Sequence, residues 1–525
     1  MAVRRKTKST ARFIESVVIL LIVAGALFGC AWTFMGPLNL AARLAPLLTP
    51  AVASGQPEAT RPVPEQTRIA QTRPPTLVPN PTITPTPQDS PTPVPPILYY
   101  TLAGDTLNAL AARFGVETSE ITSPKSISPD SLLDPNQLLI IPHRLGETSS
   151  SDMVIPDSEI VFSPSALDFD IGKFVKESAG YLYSVQEWHT DGWNDGAKAV
   201  LSVSMNNSIN PRLLLAIIEY QSHWVYGQPA NLAQTDFPVG YLDYSKKGLF
   251  LQLSWAVQQM NIGYYGWRQG RVTDLTFRDG STLRLAPDLN AGSVSLMYLM
   301  AQIYDQPNWA RAMYGPDSLP ALYEKMFGSP WERAQTVEPL FPATLAQPTL
   351  ELPFQAGKLW SFTGGPHSAW GPDGARAAID FAPGTTITGC YQSDDWVTAM
   401  ASGLVVRSET GVVVVDLDGD GYEQTGWAIL YLHIATKDRV PAGLWVNTDE
   451  HIGHPSCEGG QATGTHVHIA RKYNGEWILA DGPLPFVLSG WQVHAGKDLY
   501  QGTMTRGSDL ITSSIYGDFK SRIYR

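Results

Sequence analysis

Five residues in the C-terminal third of the chain have side chains able to hold a metal and move a proton. They are His367 in Gly364-Gly365-Pro366-His367, Asp380 in Ala378-Ile379-Asp380-Phe381, His433 in Tyr431-Leu432-His433, and the pair His466 and His468. Residues i and i+2 of a strand project to one face, so the imidazoles of His466 and His468 can enter one groove while Val467 turns into a core. Tyr431 and His433 are expected to share a face for the same reason. Zinc in a hydrolase takes three protein ligands of the N and O type and keeps a fourth position for water, whose pKa it lowers to ~7. Two histidines and one aspartate suffice. The chain has only three cysteines, Cys30, Cys390 and Cys457. A cysteine-rich zinc module and a disulfide scaffold are therefore excluded, and any metal must be held by histidines and carboxylates.

The elements that must position these side chains read as strands. Val- and Ile-rich runs alternate with Gly and Asp turns at Leu404-Val405-Val406, at Val412 to Val415 and from Trp427 to His433, which predicts a mostly antiparallel β domain over 352–525. Asp416, Asp418 and Asp420 before Gly421 have the spacing of a calcium loop. Position twelve of such a loop is Trp427 rather than a bidentate Glu, which favours a plain hairpin turn. Lone histidines such as His189, His223 and His494 are expected to be packed or surface residues. Cys390 and Cys457 leave room for one bridge, with their separation open at this level.

A chain of 525 residues with 41 Pro and 45 Gly is too long for a single core and too interrupted for continuous packing, so several domains are expected. The net charge of -12, with no basic run beyond the first residues, excludes a nucleic-acid partner. Arg4, Arg5, Lys6, Lys8 and Arg12 precede an apolar run from Val17 to Met35 of about bilayer-spanning length. Residues 1–36 thus read as a cytoplasmic basic stub followed by a transmembrane anchor or export signal. The rest of the chain is placed outside the cell, single-pass at the membrane or released and wall-associated. Residues 37–97, rich in Pro and Thr, form an extended linker.

Polar or Pro-rich breaks near 144–164 and 333–352 divide the remainder into three globular parts. The first, 98–144, reads as strand, a Gly104-Asp105-Thr106 turn, a helix with Leu107, Leu110, Ala111 and Phe114 ended by Gly115, a second short helix, and a closing strand to Pro142, a βααβ unit. The second, 165–335, is mostly α, with the apolar helix Leu213 to Ile218 introduced by Asn210-Pro211.

Each part resembles a known family. The βααβ unit resembles the LysM module through its Gly-Asp-Thr-Leu turn, the Arg-Phe-Gly-Val helix end and the closing Gln-x-Leu-x-Ile-Pro, which implies binding to N-acetylglucosamine-containing glycans such as peptidoglycan. The helical part, from Asn210 to Trp224 and again at Gly248 to Leu253, is similar to the lysozyme-like fold of lytic transglycosylases. Gln221 stands where that family has its catalytic Glu before Ser222, and an amide cannot protonate a glycosidic oxygen. Glu219 points to nearly the opposite side of the helix. A non-catalytic glycan-binding or spacing role follows.

The β domain resembles lysostaphin-type peptidoglycan endopeptidases of the beta-lytic branch, through the His367 to Asp380 spacing, Cys457-Glu458-Gly459-Gly460, and Thr463 to His468. In that branch the first His sits in a Gly-rich loop well upstream of the Asp; in the commoner branch it lies four residues before, where this chain has Arg376. The resemblance implies zinc on His367, Asp380 and His468. His433 and His466 then stand beside the attacking water and scissile carbonyl, one as base and the other steadying the oxyanion and protonating the leaving amine. His451 and His454 match no ligand and are expected to line the groove or face solvent. The whole chain is then expected to be a membrane-tethered Zn2+ endopeptidase cutting peptide stems or cross-bridges of peptidoglycan. A non-catalytic wall-binding protein and a glycan-cleaving enzyme using the helical part are the alternatives.

Overall fold

The computed structural model describes residues 94–189, 192–342, 344–384 and 387–525. The basic stub, the apolar run and most of the Pro/Thr-rich linker lie outside the described residues, and no helix among the described residues is long and apolar enough to cross a membrane.

The N-terminal unit pairs β1 (Ile97–Tyr100) with β2 (Leu138–Ile141) antiparallel and packs α1 (Leu107–Phe114) across them. Thr106 accepts from the Ala109 amide at the start of α1, and Gly115 ends it at φ 65°, a left-handed conformation that glycine adopts without strain. The expected second helix is only a 3-10 turn, Thr118–Glu120. Pro124, Pro129 and Pro135 follow it, and their missing amide hydrogens and fixed φ prevent a longer helix.

The helical part is built on α2 (Gly196–Asn207), α3 (Pro211–Ser222), α4 (Leu249–Arg268) and α5 (Ala291–Ile303). Pro211 occupies the first turn of α3, where no amide donor is needed, and Asn210 caps it. Leu213 to Ile218 are fully buried, so this helix is central.

The β domain is a nine-stranded antiparallel sheet with Leu359–His367 as β3, Ala378–Pro383 as β4, Gly403–Glu409 as β5 and Gly411–Asp416 as β6. It continues with Trp427–Ile434 as β7, Trp445–Val446 as β8, Val467–Tyr473 as β9, Glu476–Trp477 as β10 and Arg522–Tyr524 as β11. Its order is β8-β5-β6-β7-β9-β4-β3-β11, with β10 paired to β9. Both faces are apolar. Ile379, Phe381, Val413, Ile429, Tyr431, Val467 and Ile469 meet one core with Phe354 and Trp360. Ala378, Val412, Val414, Leu430, Leu432 and Ala470 join the core of the helical part, with Leu213, Met260 and Tyr265.

The three parts read as separate are therefore joined, and Ser90–Arg525 forms one compact unit. Strands apolar on both faces need a cover on each side, and the helices supply the second one. Polar locks tie the joint. The Arg268 Nη2 donates to Asp157 (2.9 Å), to the Tyr264 hydroxyl (3.1 Å) and to Glu476 on β10 (3.1 Å), while the Tyr264 hydroxyl donates to Glu476 at 2.7 Å. Nor is the N-terminal unit a free tether: buried Arg113 donates to the Trp267 carbonyl at 3.2 and 3.0 Å and pairs with Asp105 at 2.8 Å.

Candidate metal centre

Strand register brings the candidate ligands together. His468 on β9 stands directly opposite Asp380 on β4, and His367 closes β3 against Ala378. The Gly364-Gly-Pro-His stretch is thus the end of a strand, not a loop. Its glycines are needed for close approach. A Cβ on Gly364 would meet Asp380 Oδ2 at 2.3 Å, and one on Gly365 would meet the Gln501 backbone at 2.4 Å.

Three polar atoms converge. His367 Nε2 lies 3.0 Å from His468 Nδ1, and each lies 3.2 Å from Asp380 Oδ1. The second nitrogen of each imidazole is committed to a backbone carbonyl, His367 Nδ1 to Gly365 at 2.8 Å and His468 Nε2 to Ala369 at 3.0 Å. Each ring therefore carries its proton on the outer nitrogen and turns a lone pair inward. Asp380 Oδ1 is buried with no hydrogen-bond donor among the described residues. Two lone pairs and a carboxylate oxygen facing one another need a cation between them. Ligands ~2.0–2.1 Å from a tetrahedral ion stand about 3.3 Å apart, close to the spacing here. The donor set fits zinc.

The remaining histidines flank this group. His466, just ahead of β9, directs Nδ1 to the Gly464 carbonyl at 2.8 Å and Nε2 towards Asp380 Oδ1 at 3.8 Å. His433 Nδ1 meets the Glu458 carbonyl at 2.9 Å, and its ring centroid lies 4.5 Å from that of His466. The shared face expected for Tyr431 and His433 is not observed. Tyr431 is buried in the core of the opposite face, its hydroxyl accepting from the Met400 amide at 2.7 Å. His433 has φ 66°, beside a register shift between Gly411 and Val412, and this breaks the alternation and turns it to the metal side. A left-handed histidine costs about 1–3 kcal/mol. The Ser456 amide and hydroxyl, donating to the His433 carbonyl at 2.8 and 3.0 Å, help hold it there.

Electrostatics divide four of these residues. Burial works to raise the Asp380 carboxyl, but the imidazoles of His367 and His466 hold it well below the usual carboxylate range. Burial disfavours a charge on His367 too, yet Asp380 raises its pKa above the ordinary value. Burial lowers His468. Burial, with His466 and His468 near, pushes His433 down to about 3, so its ring is neutral near pH 7.

Sequence reasoning missed Tyr500. Its ring stacks on His367 with centroids 4.1 Å apart, and its carbonyl accepts from the Gly365 amide at 2.7 Å. It lies in a connection between late strands, Trp491–Ala495 and Gly502–Arg506, and no motif marks it. His451 and His454 are outside the centre, packed about Trp396 with centroids 4.0 and 3.9 Å away, and His454 is buried rather than groove-lining or solvent-facing. Asp416, Asp418 and Asp420 do cluster on the hairpin joining β6 to β7. Asp416 accepts from the Asp418 and Gly421 amides, and Asp420 accepts from the Tyr422 amide, so both carboxylates brace the turn itself.

Cys390 and Cys457 form a disulfide across 67 residues of sequence, joining the segment before β5 to the one that leads into His466. Closing a loop of that length stabilises the fold by about 4 kcal/mol in the chain-entropy model. Cys390→Ser/Cys457→Ser is expected to lower the thermal unfolding midpoint and to weaken zinc retention. An unchanged midpoint would show that the bridge contributes nothing.

In the helical part, Gln221 Oε1 accepts from the Tyr304 hydroxyl at 2.9 Å, and Glu219 Oε2 accepts from the Val225 and Tyr226 amides at 2.9 and 3.1 Å. Neither is a free carboxylic acid poised over a cleft.

Comparison with known proteins agrees with a metallopeptidase-type β domain. Residues 153–340 match the family model described as LasA, N-terminal domain. The chain is 26% identical over 367 residues to protease LasA of Pseudomonas aeruginosa strain UCBPP-PA14, covering 64% of this chain and 78% of that protein. It is 28% identical over 165 residues to the beta-lytic metalloendopeptidase of Achromobacter lyticus, covering 30% and 41% respectively. A solved structure described as a novel M23 metalloprotease, pseudoalterin, from deep-sea aligns at 22% identity and TM-score 0.28, over 34% of this chain and 100% of that one, a likeness too small to carry weight. The LasA N-terminal match falls on the segment read as lysozyme-like. Neither that reading nor the LysM reading of 98–144 gains support from these matches.

Proposed function

We propose that the chain is a zinc-dependent endopeptidase that hydrolyses peptide stems or cross-bridges of bacterial peptidoglycan. The observation that carries this reading is the convergence of two inward lone pairs and an unpartnered carboxylate oxygen, with two further imidazoles alongside. A zinc ion held by His367, Asp380 and His468 supplies Lewis acidity and makes a water acidic near neutral pH. His433 and His466 keep Nδ1 on backbone carbonyls and leave Nε2 for chemistry. Either ring can take the proton of the attacking water, while the other steadies the oxyanion, and the proton then passes to the leaving amine. Similarity to protease LasA and to beta-lytic metalloendopeptidase supports the peptidase reaction. The lysostaphin-type and LysM resemblances of the sequence support peptidoglycan as substrate. The apolar run Val17 to Met35 supports a membrane tether.

The test is elemental analysis of the full chain, with amine release from peptidoglycan followed in the same samples. About one zinc per chain is expected, with amine release lost on chelation and restored by zinc. A folded, metal-free chain that zinc cannot make active would sink the proposal.

A further inference from the structure

Strand register leaves a gap beside the metal centre that one residue fills. The ladder between β7 and β9 ends at Leu432 opposite His468. Beyond that pair the two chains are joined through Ser456, which forms an isolated bridge with His466. The Ser456 amide and hydroxyl donate to the His433 carbonyl at 2.8 and 3.0 Å, and the Ser456 carbonyl accepts from the His466 amide at 3.3 Å. Ser456 is only 5% exposed, so little water competes for these bonds.

The same hydroxyl governs the ring of His433. Ser456 Oγ accepts from the Glu458 amide at 3.1 Å, and the Glu458 carbonyl is the group that His433 Nδ1 meets at 2.9 Å. Main chain and imidazole of one histidine are thus both referred to a single side-chain oxygen. The segment that carries it is held on several sides. The Ala435 amide donates to the His454 carbonyl at 2.8 Å, the Thr436 amide donates to the Glu458 carboxylate at 2.9 Å, and Cys457 is bridged to Cys390. A Cβ on Gly411 would meet the Glu458 backbone at 2.4 Å, so β6 leaves the segment no room to retreat. His433 stands at φ 66°, a conformation that persists only where the surroundings over-determine it. An alanine at 456 would keep the backbone bonds and lose both bonds of the hydroxyl.

We propose that Ser456 is a positioning residue shared by His433 and His466, and that it sets the separation of their rings, whose centroids lie 4.5 Å apart. That these rings move protons rests on the peptidase reading. That one serine fixes their spacing rests on the hydrogen bonds alone. The role differs from that of a ligand. Loss of a ligand empties the centre, whereas loss of this anchor leaves the three donors in place and lets the His433 ring drift, and proton transfer from a misplaced group is slower.

Ser456→Ala in the full chain is expected to lower kcat for amine release from peptidoglycan about tenfold, the effect of one well-placed hydrogen bond, with KM and zinc content unchanged. Ser456→Thr, which keeps the hydroxyl, should recover most of that loss. In a His433→Ala chain, where the anchored ring is gone, adding Ser456→Ala should cost less than about twofold, because residues that act as a unit are not additive. A second readout does not depend on turnover. Modification by diethyl pyrocarbonate, mapped by mass spectrometry, should be about threefold faster or more at the buried His433 in Ser456→Ala, through easier local opening, and unchanged at the exposed His223. Fully additive losses in the double variant, a Thr variant no better than the Ala variant, or an unchanged modification rate at His433 would overturn the proposal. A wild type that releases no amine, with modification of His433 still faster in Ser456→Ala, would sink the peptidase reading and leave the anchor standing.

Discussion

His468→Ala is expected to abolish both zinc retention and amine release, the latter by at least about a thousandfold. The imidazole is one of three converging donors, and its Nε2 bond to Ala369 fixes the ring so that Nδ1 faces Asp380. Removing it leaves a carboxylate and one imidazole, too few to hold a hydrolytic metal. Asp380→Ala should behave in the same way, because its Oδ1 lies 3.2 Å from both His367 Nε2 and His468 Nδ1. His433→Ala and His466→Ala should differ in kind. Each is expected to retain about one zinc while losing amine release by roughly a hundred- to ten-thousandfold, the range for a positioned acid or base. Elemental analysis beside a kinetic assay separates the two groups. If His433→Ala emptied the site, or His468→Ala kept its zinc, the division into ligands and proton carriers would be wrong.

Arg268→Met should destabilise the fold strongly, by about 3–5 kcal/mol. Methionine keeps the apolar stem but leaves Asp157 and Glu476 facing each other without their shared cation. Burial already pushes Glu476 above its usual range, and Arg268 is what offsets that burial. Because Glu476 belongs to the β domain and Arg268 to the helical part, the loss should appear as one lowered transition for both, read by thermal unfolding. Pairing Arg268→Met with Glu476→Gln should recover part of the loss, since an amide carries no buried charge. Two well-separated transitions in the wild type, with only the helical one moving, would show that the parts are held together too weakly to unfold as a unit.

The His466-Val-His stretch was legible because β alternation has a period of two, so spacing alone puts His466 and His468 on one side and Val467 on the other, whereas Gly364-Gly-Pro-His, read as a loop, closes a strand. The same rule failed at His433. A left-handed φ and a register shift reverse its side, and neither leaves a trace in residue types when the residue is not glycine. Val412 to Val415 marked a strand correctly, but a continuous apolar run does not say what covers its second face. The break near 333–352 was real in composition and misleading in space, because the chain returns from it to pack against the helices it has just left. Tyr500 carried no signal, since stacking on His367 depends on a connection brought in from far along the chain.

The sequence by itself determined the β character of the last part and the donor types available to a metal, because composition and periodicity are local properties. Only the tertiary structure decided that two imidazole lone pairs and one carboxylate oxygen meet within 3.2 Å, that Cys390 and Cys457 are bridged, and that the helical part shares a core with the sheet. Those outcomes depend on strand register and on which apolar faces find each other, and both are settled by packing across long stretches of chain.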